Sequence, residues 1–213
     1  MTITSGDVER YVGHLASADR AQALEMALTV GERVPPVQVI TDLLGAAQIE
    51  VGRRWQANEW DVGREYAATS ITDYVLAAVS SRWPVDTRAG PQIVVLCAEG
   101  ESHALPARMQ VELLRLHGWP VTMLGASLPA EYLESYLRRH RVLAAAVSCT
   151  LARSLPGDVT ILVDFVRWQE AVLTARGEPT MAAAIVDSVS SALGDNSPSA
   201  RQALQAGSQA VQR

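Results

Sequence analysis

The chain carries no Gly-x-Gly-x-x-Gly, no Gly-x-x-x-x-Gly-Lys-[Ser/Thr], no His-Glu-x-x-His and no Gly-x-Ser-x-Gly. These absences remove the phosphate-cradling loops of nucleotide and dinucleotide sites, the helix-borne zinc protease site and the serine elbow of α/β-hydrolases. Only two cysteines occur in 213 residues, Cys97 and Cys149, in separate apolar runs without Cys-x-x-Cys spacing. They read as buried thiols of a reducing compartment, not as a disulfide or zinc ligands. No basic block of five or six residues exists, and the net charge is −5 from 18 Lys+Arg and 23 Asp+Glu. A nucleic-acid binder is expected to show a basic stripe, so no direct contact with nucleic acid is expected. The residues before Val8 are polar and no apolar stretch follows them, so no signal peptide is read. Apolar runs such as Val142–Val147 fall far short of the roughly 20 residues a spanning helix needs. The expectation is a soluble, cytoplasmic protein with no membrane partner.

What is present divides into two patterns, with no internal repeat. From residue 8 to about 82 the apolar residues recur at helical steps: Ile40, Leu43, Leu44, Ala47, Val51 and Trp55 form one amphipathic stripe. The tandem Pro35-Pro36 marks the start of that helix, since proline is tolerated in a first turn. Asp61 is placed to cap the next helix, which runs to about Val79. Two shorter helical stretches, Val8–Leu15 and Ala21–Val30, come before them, and four helices with short links argue for a bundle. Residues 84–91 read as a linker. Beyond it, short β-branched runs at 93–97, 121–124 and 144–148 alternate with helical stretches at 104–117 and 130–140. That alternation predicts βαβ units around a parallel sheet buried on both faces. The expected architecture is α/β: an N-terminal four-helix bundle over 1–83, then a Rossmann-like, flavodoxin-like parallel-sheet domain over 92–213. A third crossover helix is expected after Leu155. The segment "PTMAAAIVDSVSSALG" reads as strand or helix, and the chain end as weakly helical.

Ligands of open α/β sheets bind outside the carboxyl ends of the strands, and "CAEGESHALPARM" (97–109) lies there. It holds Glu101 and His103, two residues apart in a strand-to-helix turn. A core histidine, a hydrolase base, a metal ligand and a cofactor ligand all fit a lone histidine. Ser148 could serve as a nucleophile beside His103, yet the sequence places no third member of a triad. Clustered ligands of a protein-held metal site are absent.

The residues Glu101-x-His103-x-x-Pro106, followed beyond the next strand and helix by Ser148-x-Thr150, resemble the cobalamin-binding signature Asp-x-His-x-x-Gly…Ser-x-Leu…Gly-Gly. That signature belongs to methionine synthase, the mutases and the corrinoid carriers. The resemblance implies that His103 is the lower axial ligand to cobalt, replacing the cofactor's own benzimidazole. It implies that Glu101 hydrogen-bonds the other ring nitrogen, fixing tautomer and basicity, and that Ser148, with Thr150, lines the nucleotide-tail pocket. "RRWQANEWDVGREYAA" resembles the helical cap of the light-responsive, adenosylcobalamin-dependent regulators related to MerR. In those a Trp is followed by a Val seven residues on and by Glu-His at ten and eleven. Trp55, Val62, Glu65 and Tyr66 stand at that spacing. The likeness implies that Trp55 covers the upper face of the corrin, with Glu65 bonding the adenosyl group and Val62 and Tyr66 beside it.

The sequence departs from these patterns at Pro106, which replaces a glycine. Tyr66 stands for a histidine, and Gln56 stands where the light sensors have the histidine that captures cobalt after photolysis. After Ser148 no Gly-Gly pair follows; Ala182–Ala184 is the nearest candidate, and each Cβ would crowd a close backbone approach to the tail.

The expected function is that of a non-enzymatic sensor or regulatory module holding His-on adenosylcobalamin between bundle and sheet. Light is a candidate signal, and output passes through a protein partner or self-association because the relatives' winged helix is not read here. A second reading, a corrinoid methyl carrier for a separate methyltransferase, would use methylcobalamin and would have no need of the Trp and Glu. A third is a module that has lost the cofactor. Trp60, Trp83, Trp119 and Trp168 read as packing residues.

Overall fold

The computed structural model of the chain describes residues 2–87 and 89–149. The expected third crossover helix, Ala182–Ala184, Trp168 and Thr150 lie outside the described residues. The chain divides into two units: Met1–Arg88 with Met109–Trp119, and Ala89–Arg108 with the residues from Pro120.

The first unit is helical. Helix α1 (Ser5–Ala16) opens on a capping box: the Thr4 hydroxyl accepts from the Asp7 N–H, and the Asp7 carboxylate accepts from the Thr4 N–H. Asp19 caps α2 (Arg20–Gly31) through the Gln22 N–H. The third rod begins with Pro36 in its first turn as α3 (Pro36–Gln38). It continues through a π-helical segment (Val39–Gly45) into α4 (Ala46–Gln56). Helix α5 (Val62–Ser80) starts where the Asp61 carboxylate accepts from the Arg64 N–H at 2.8 Å. The four rods bury Tyr11, Val12, Leu15, Ile40, Leu43, Leu44, Val75 and Leu76 almost completely. The helices expected from periodicity are present, the third rod carrying a wider turn. That turn leaves no periodicity mark, because VITDLLG reads apolar on the same face in either winding.

The second unit holds a parallel sheet of β1 (Gln92–Cys97), β2 (Val121–Gly125) and β3 (Val142–Ser148), in the order β2-β1-β3. Helix α6 (Leu105–Leu116) follows β1, and α7 (Ala130–Arg139) follows β2. Side chains alternate along a strand. Val94 and Leu96 therefore face one side, where they pack with Leu133 and Leu137 of α7 and with Val142. The expected α/β architecture with a parallel sheet is present. Among the described residues no helix is long and apolar enough to cross a membrane.

Candidate functional site

The order β2-β1-β3 puts the first strand in the centre. The chain leaves β1 to one side for β2 and returns to the other side as β3, which makes the β1/β3 boundary a topological switch point. Cys97 of β1 is paired with Ser148 of β3, and the Ala98 N–H donates to the Ser148 carbonyl at 3.0 Å. The loop bearing Glu101 and His103 begins at this boundary, with Ser148 closing the adjacent strand. The half-buried Ser148 side chain stands at the same edge.

Inside that loop the two residues differ sharply in burial. Glu101 has no exposed surface, whereas the His103 side chain is 59% exposed. One carboxylate oxygen, Oε1, accepts from the His103 backbone N–H at 2.8 Å and pairs with His103 Nδ1. A buried carboxylate thus fixes backbone and ring together. With the proton on Nδ1, the imidazole lone pair resides on Nε2, the arrangement of a metal-ligating histidine.

The loop is tied to its neighbour by Ser127, after β2. The Ser127 N–H donates to the Glu101 carbonyl at 3.0 Å, and its hydroxyl accepts from the Gly100 N–H at 3.0 Å. Ser127 makes both bonds from the left-handed region, at φ 51°, and Gly100 sits at φ 80°. Beneath the loop, Cys97 is fully buried. Burial, with the Glu101 carboxylate and Cys149 adding to it, pushes the Cys97 thiol up, which keeps it protonated and unreactive. Among the described residues no cluster of three or more His, Cys, Asp or Glu could hold a metal ion on its own.

In the helical unit, Trp55 ends α4 while Val62, Glu65 and Tyr66 lie in the first turns of α5. The turn joining them is packed on Trp60, which is 6% exposed. The Arg54 and Arg64 guanidinium carbons lie 5.5 and 5.4 Å from its ring centre, a cation–π pair. Arg54 also bridges Glu50 and Glu9, each at 2.7 Å. Trp55, Val62 and Tyr66 remain 45%, 56% and 68% exposed. A single exposed apolar residue needs no explanation; here three lie on the one helical hairpin of α4 and α5. Glu65 is half-buried beside them.

The structure therefore gathers Glu101, His103 and Ser148 at one sheet edge, and Trp55, Val62, Glu65 and Tyr66 on one hairpin. Sequence reasoning missed Ser127, whose left-handed backbone has no sequence mark. It also missed Gln48, Thr69 and Thr72, which hydrogen-bond behind Glu65. Thr72 left a usable signal: it is polar within the apolar stripe Ala68, Ile71, Val75, Leu76 and Val79.

Residues 8–80 match the family model of the B12 binding domain. Over 107 residues the chain is 31% identical to the HTH-type transcriptional repressor CarA of Myxococcus xanthus, covering 50% of this chain and 37% of that protein. It thus spans little more than a third of the curated relative's length. Among solved structures, the monomethylamine corrinoid protein of Methanosarcina barkeri superposes with a TM-score of 0.61 at 17% identity, over 78% of this chain and 80% of that one. A cobalamin-binding protein from Desulfitobacterium hafniense aligns at a TM-score of 0.36 and 17% identity, over 80% and 78%, too low to add to the fold assignment. The chain thus carries a B12-binding-domain match in its helical half and is similar in fold to a corrinoid protein.

Proposed function

We propose that this chain is a cobalamin-binding sensor or regulatory module that favours adenosylcobalamin. His103 serves as the lower axial ligand, and Glu101 orients it. Like the regulators and corrinoid carriers built on B12-binding domains, it is not itself a catalyst. The observation that carries the reading is the exposed His103 ring clamped through Nδ1 by a wholly buried carboxylate at the switch point of the sheet.

The residues fit the group. A corrin needs one protein nitrogen at its metal and an apolar surface against its flat face. His103 supplies the first, with Ser148 toward the nucleotide tail. The exposed Trp55, Val62 and Tyr66 supply the second, and Glu65 offers a carboxylate acceptor to a hydroxyl- or amino-bearing upper group. Adenosylcobalamin, when bound, supplies a cobalt–carbon bond that light breaks. A module that senses this must bind the dark and illuminated forms with different affinity. Output passes to a protein partner or to a second copy of the chain. The relative CarA is named a repressor of the helix-turn-helix type, and DNA contact by this chain is not part of the proposal.

A second reading, a corrinoid methyl carrier, is kept by the architecture shared with the monomethylamine corrinoid protein. It would retain methylcobalamin at least as well as the adenosyl form. The deciding experiment mixes the purified chain with each cobalamin in the dark, desalts it and records visible spectra before and after illumination, beside His103→Ala. Retained colour with a base-off, His-on spectrum that the variant loses supports the ligand. A light-dependent change and adenosyl preference support the sensor. Colourless eluates with both cobalamins would sink the cofactor reading.

A further inference from the structure

Glu65 is the end of a polar ladder. Its Oε1 accepts from the Thr69 hydroxyl at 3.0 Å, one turn further along α5. The same hydroxyl lies 3.1 Å from Oε1 of Gln48 on α4. On its other side the Gln48 amide donates from Nε2 to the Thr72 hydroxyl at 2.8 Å. Thr72 has no exposed surface. Helices α4 and α5 are thereby linked to one half-buried carboxylate.

The ladder has a definite polarity. A threonine hydroxyl carries one proton, so Thr69 donates to Glu65 or to Gln48, not to both at once. The charged carboxylate is the stronger acceptor, and in donating to it Thr69 fixes which Glu65 oxygen is engaged. A ligand donor arriving at Glu65 then meets a carboxylate with one oxygen already bonded and the other set in direction. If the ligand displaces Thr69, the hydroxyl turns to Gln48 and remains satisfied. Gln48 is held for that purpose by Thr72, which sits in the bundle core and cannot follow solvent.

We propose that Thr69 and Gln48 are positioning residues that hold the Glu65 carboxylate toward the upper axial group, so that preference for adenosyl- over methylcobalamin depends on them. This rests on the reading of Glu65 given above. Neither residue is asked to touch the corrin, and neither should alter binding of a cofactor whose upper group has no hydrogen-bond donor.

The test titrates the full chain with adenosylcobalamin and methylcobalamin in the dark, following visible absorbance. The readout is the ratio of the two dissociation constants. The variants are Thr69→Val, Thr69→Ser, Gln48→Leu and Glu65→Gln. Loss of the charge-assisted Thr69–Glu65 hydrogen bond should lower the preference for the adenosyl form about three- to tenfold in Thr69→Val, and Gln48→Leu, which removes only the neutral partner behind Thr69, should lower it by less, about two- to threefold. Methylcobalamin affinity should stay unchanged, which also certifies that each variant is folded. Thr69→Ser, which keeps the hydroxyl, should restore the ratio. An unchanged ratio in Thr69→Val and Gln48→Leu, with Glu65→Gln lowering it, would overturn the ladder's role and leave the Glu65 reading standing. A parallel loss of both cobalamins in those variants would mark the residues as merely structural and equally overturn it. No adenosyl preference in the parent chain, or none lost in Glu65→Gln, overturns the Glu65 reading and the inference with it.

Discussion

Asp7 lies in the first turn of α1 with 2% of its surface exposed, and four groups converge on its carboxylate. They are the Thr4 N–H at 3.0 Å, the Thr4 hydroxyl at 2.8 Å, Arg33 at 2.9 Å and Arg10 at 2.5 Å. The Thr4 bonds foremost, opposed by burial and helped by Arg33 and Arg10, hold this carboxyl far below the usual carboxylate range. Asp7→Ala should cost about 2 kcal/mol in urea unfolding, since it strips the cap and orphans buried donors. The sign of the pH dependence follows from a depressed folded pKa. Stability from Asp7 is complete above the ordinary value of 3.8 and is lost as pH falls below it toward the folded value. Asp7→Asn should therefore flatten the acid limb of the stability curve, and an unchanged limb would contradict this account. At Glu101, removal of the carboxylate frees the His103 ring to rotate. Glu101→Ala should weaken cobalamin binding about 10–100-fold, as for other groups that orient a metal-bound histidine, measured by the same spectral titration. The spacing of Glu101 and His103 is visible in the sequence. The complete burial of one beside the exposure of the other is not, because it depends on Ser127 and the strand ends closing over the loop.

Among the elements, the loop after β2 offers a clean comparison. Ser127 pays a conformational cost at φ 51°, on the order of 1 kcal/mol for a residue with a Cβ, and it holds the Gly100 N–H in return. Ser127→Ala keeps the strain and loses the bond, whereas Ser127→Gly loses the bond and relieves the strain. The alanine variant should be less stable than the glycine variant by about 1 kcal/mol, read from urea midpoints; the reverse order would show that the backbone strain is not real. Most elements were legible because their signals are local. The Pro35-Pro36 start, the Asp61 cap and the β-branched runs each act within a few residues. Helix α1 begins at Ser5, three residues before the Val8 at which the apolar pattern starts, because its capping box pairs Thr4 with an aspartate where the common pattern has Glu or Gln. The polar ladder was illegible for a different reason: Gln48 and Thr72 are 24 positions apart in the chain, and only the crossing of α4 and α5 joins them.

For the whole molecule, ligand and stability are linked by mass action. Adenosylcobalamin at about 100 times its dissociation constant should stabilise the chain by about 2.7 kcal/mol, seen as a higher urea midpoint in the dark. Under illumination a sensor should lose part of that gain, while a carrier loaded with adenosylcobalamin has no reason to couple the loss to its fold. His103→Ala should show little stabilisation under either condition. Because the strand order is β2-β1-β3, the ribosome delivers the centre of the sheet first and its flanks afterwards. Glu101 and His103 emerge with β1, but Ser148, at the far end of β3, follows roughly 2–9 s later at ordinary elongation rates. Through that interval the histidine exists without the strand that completes its edge of the sheet, so capture of the cofactor belongs to the period after β3 has been synthesised and docked.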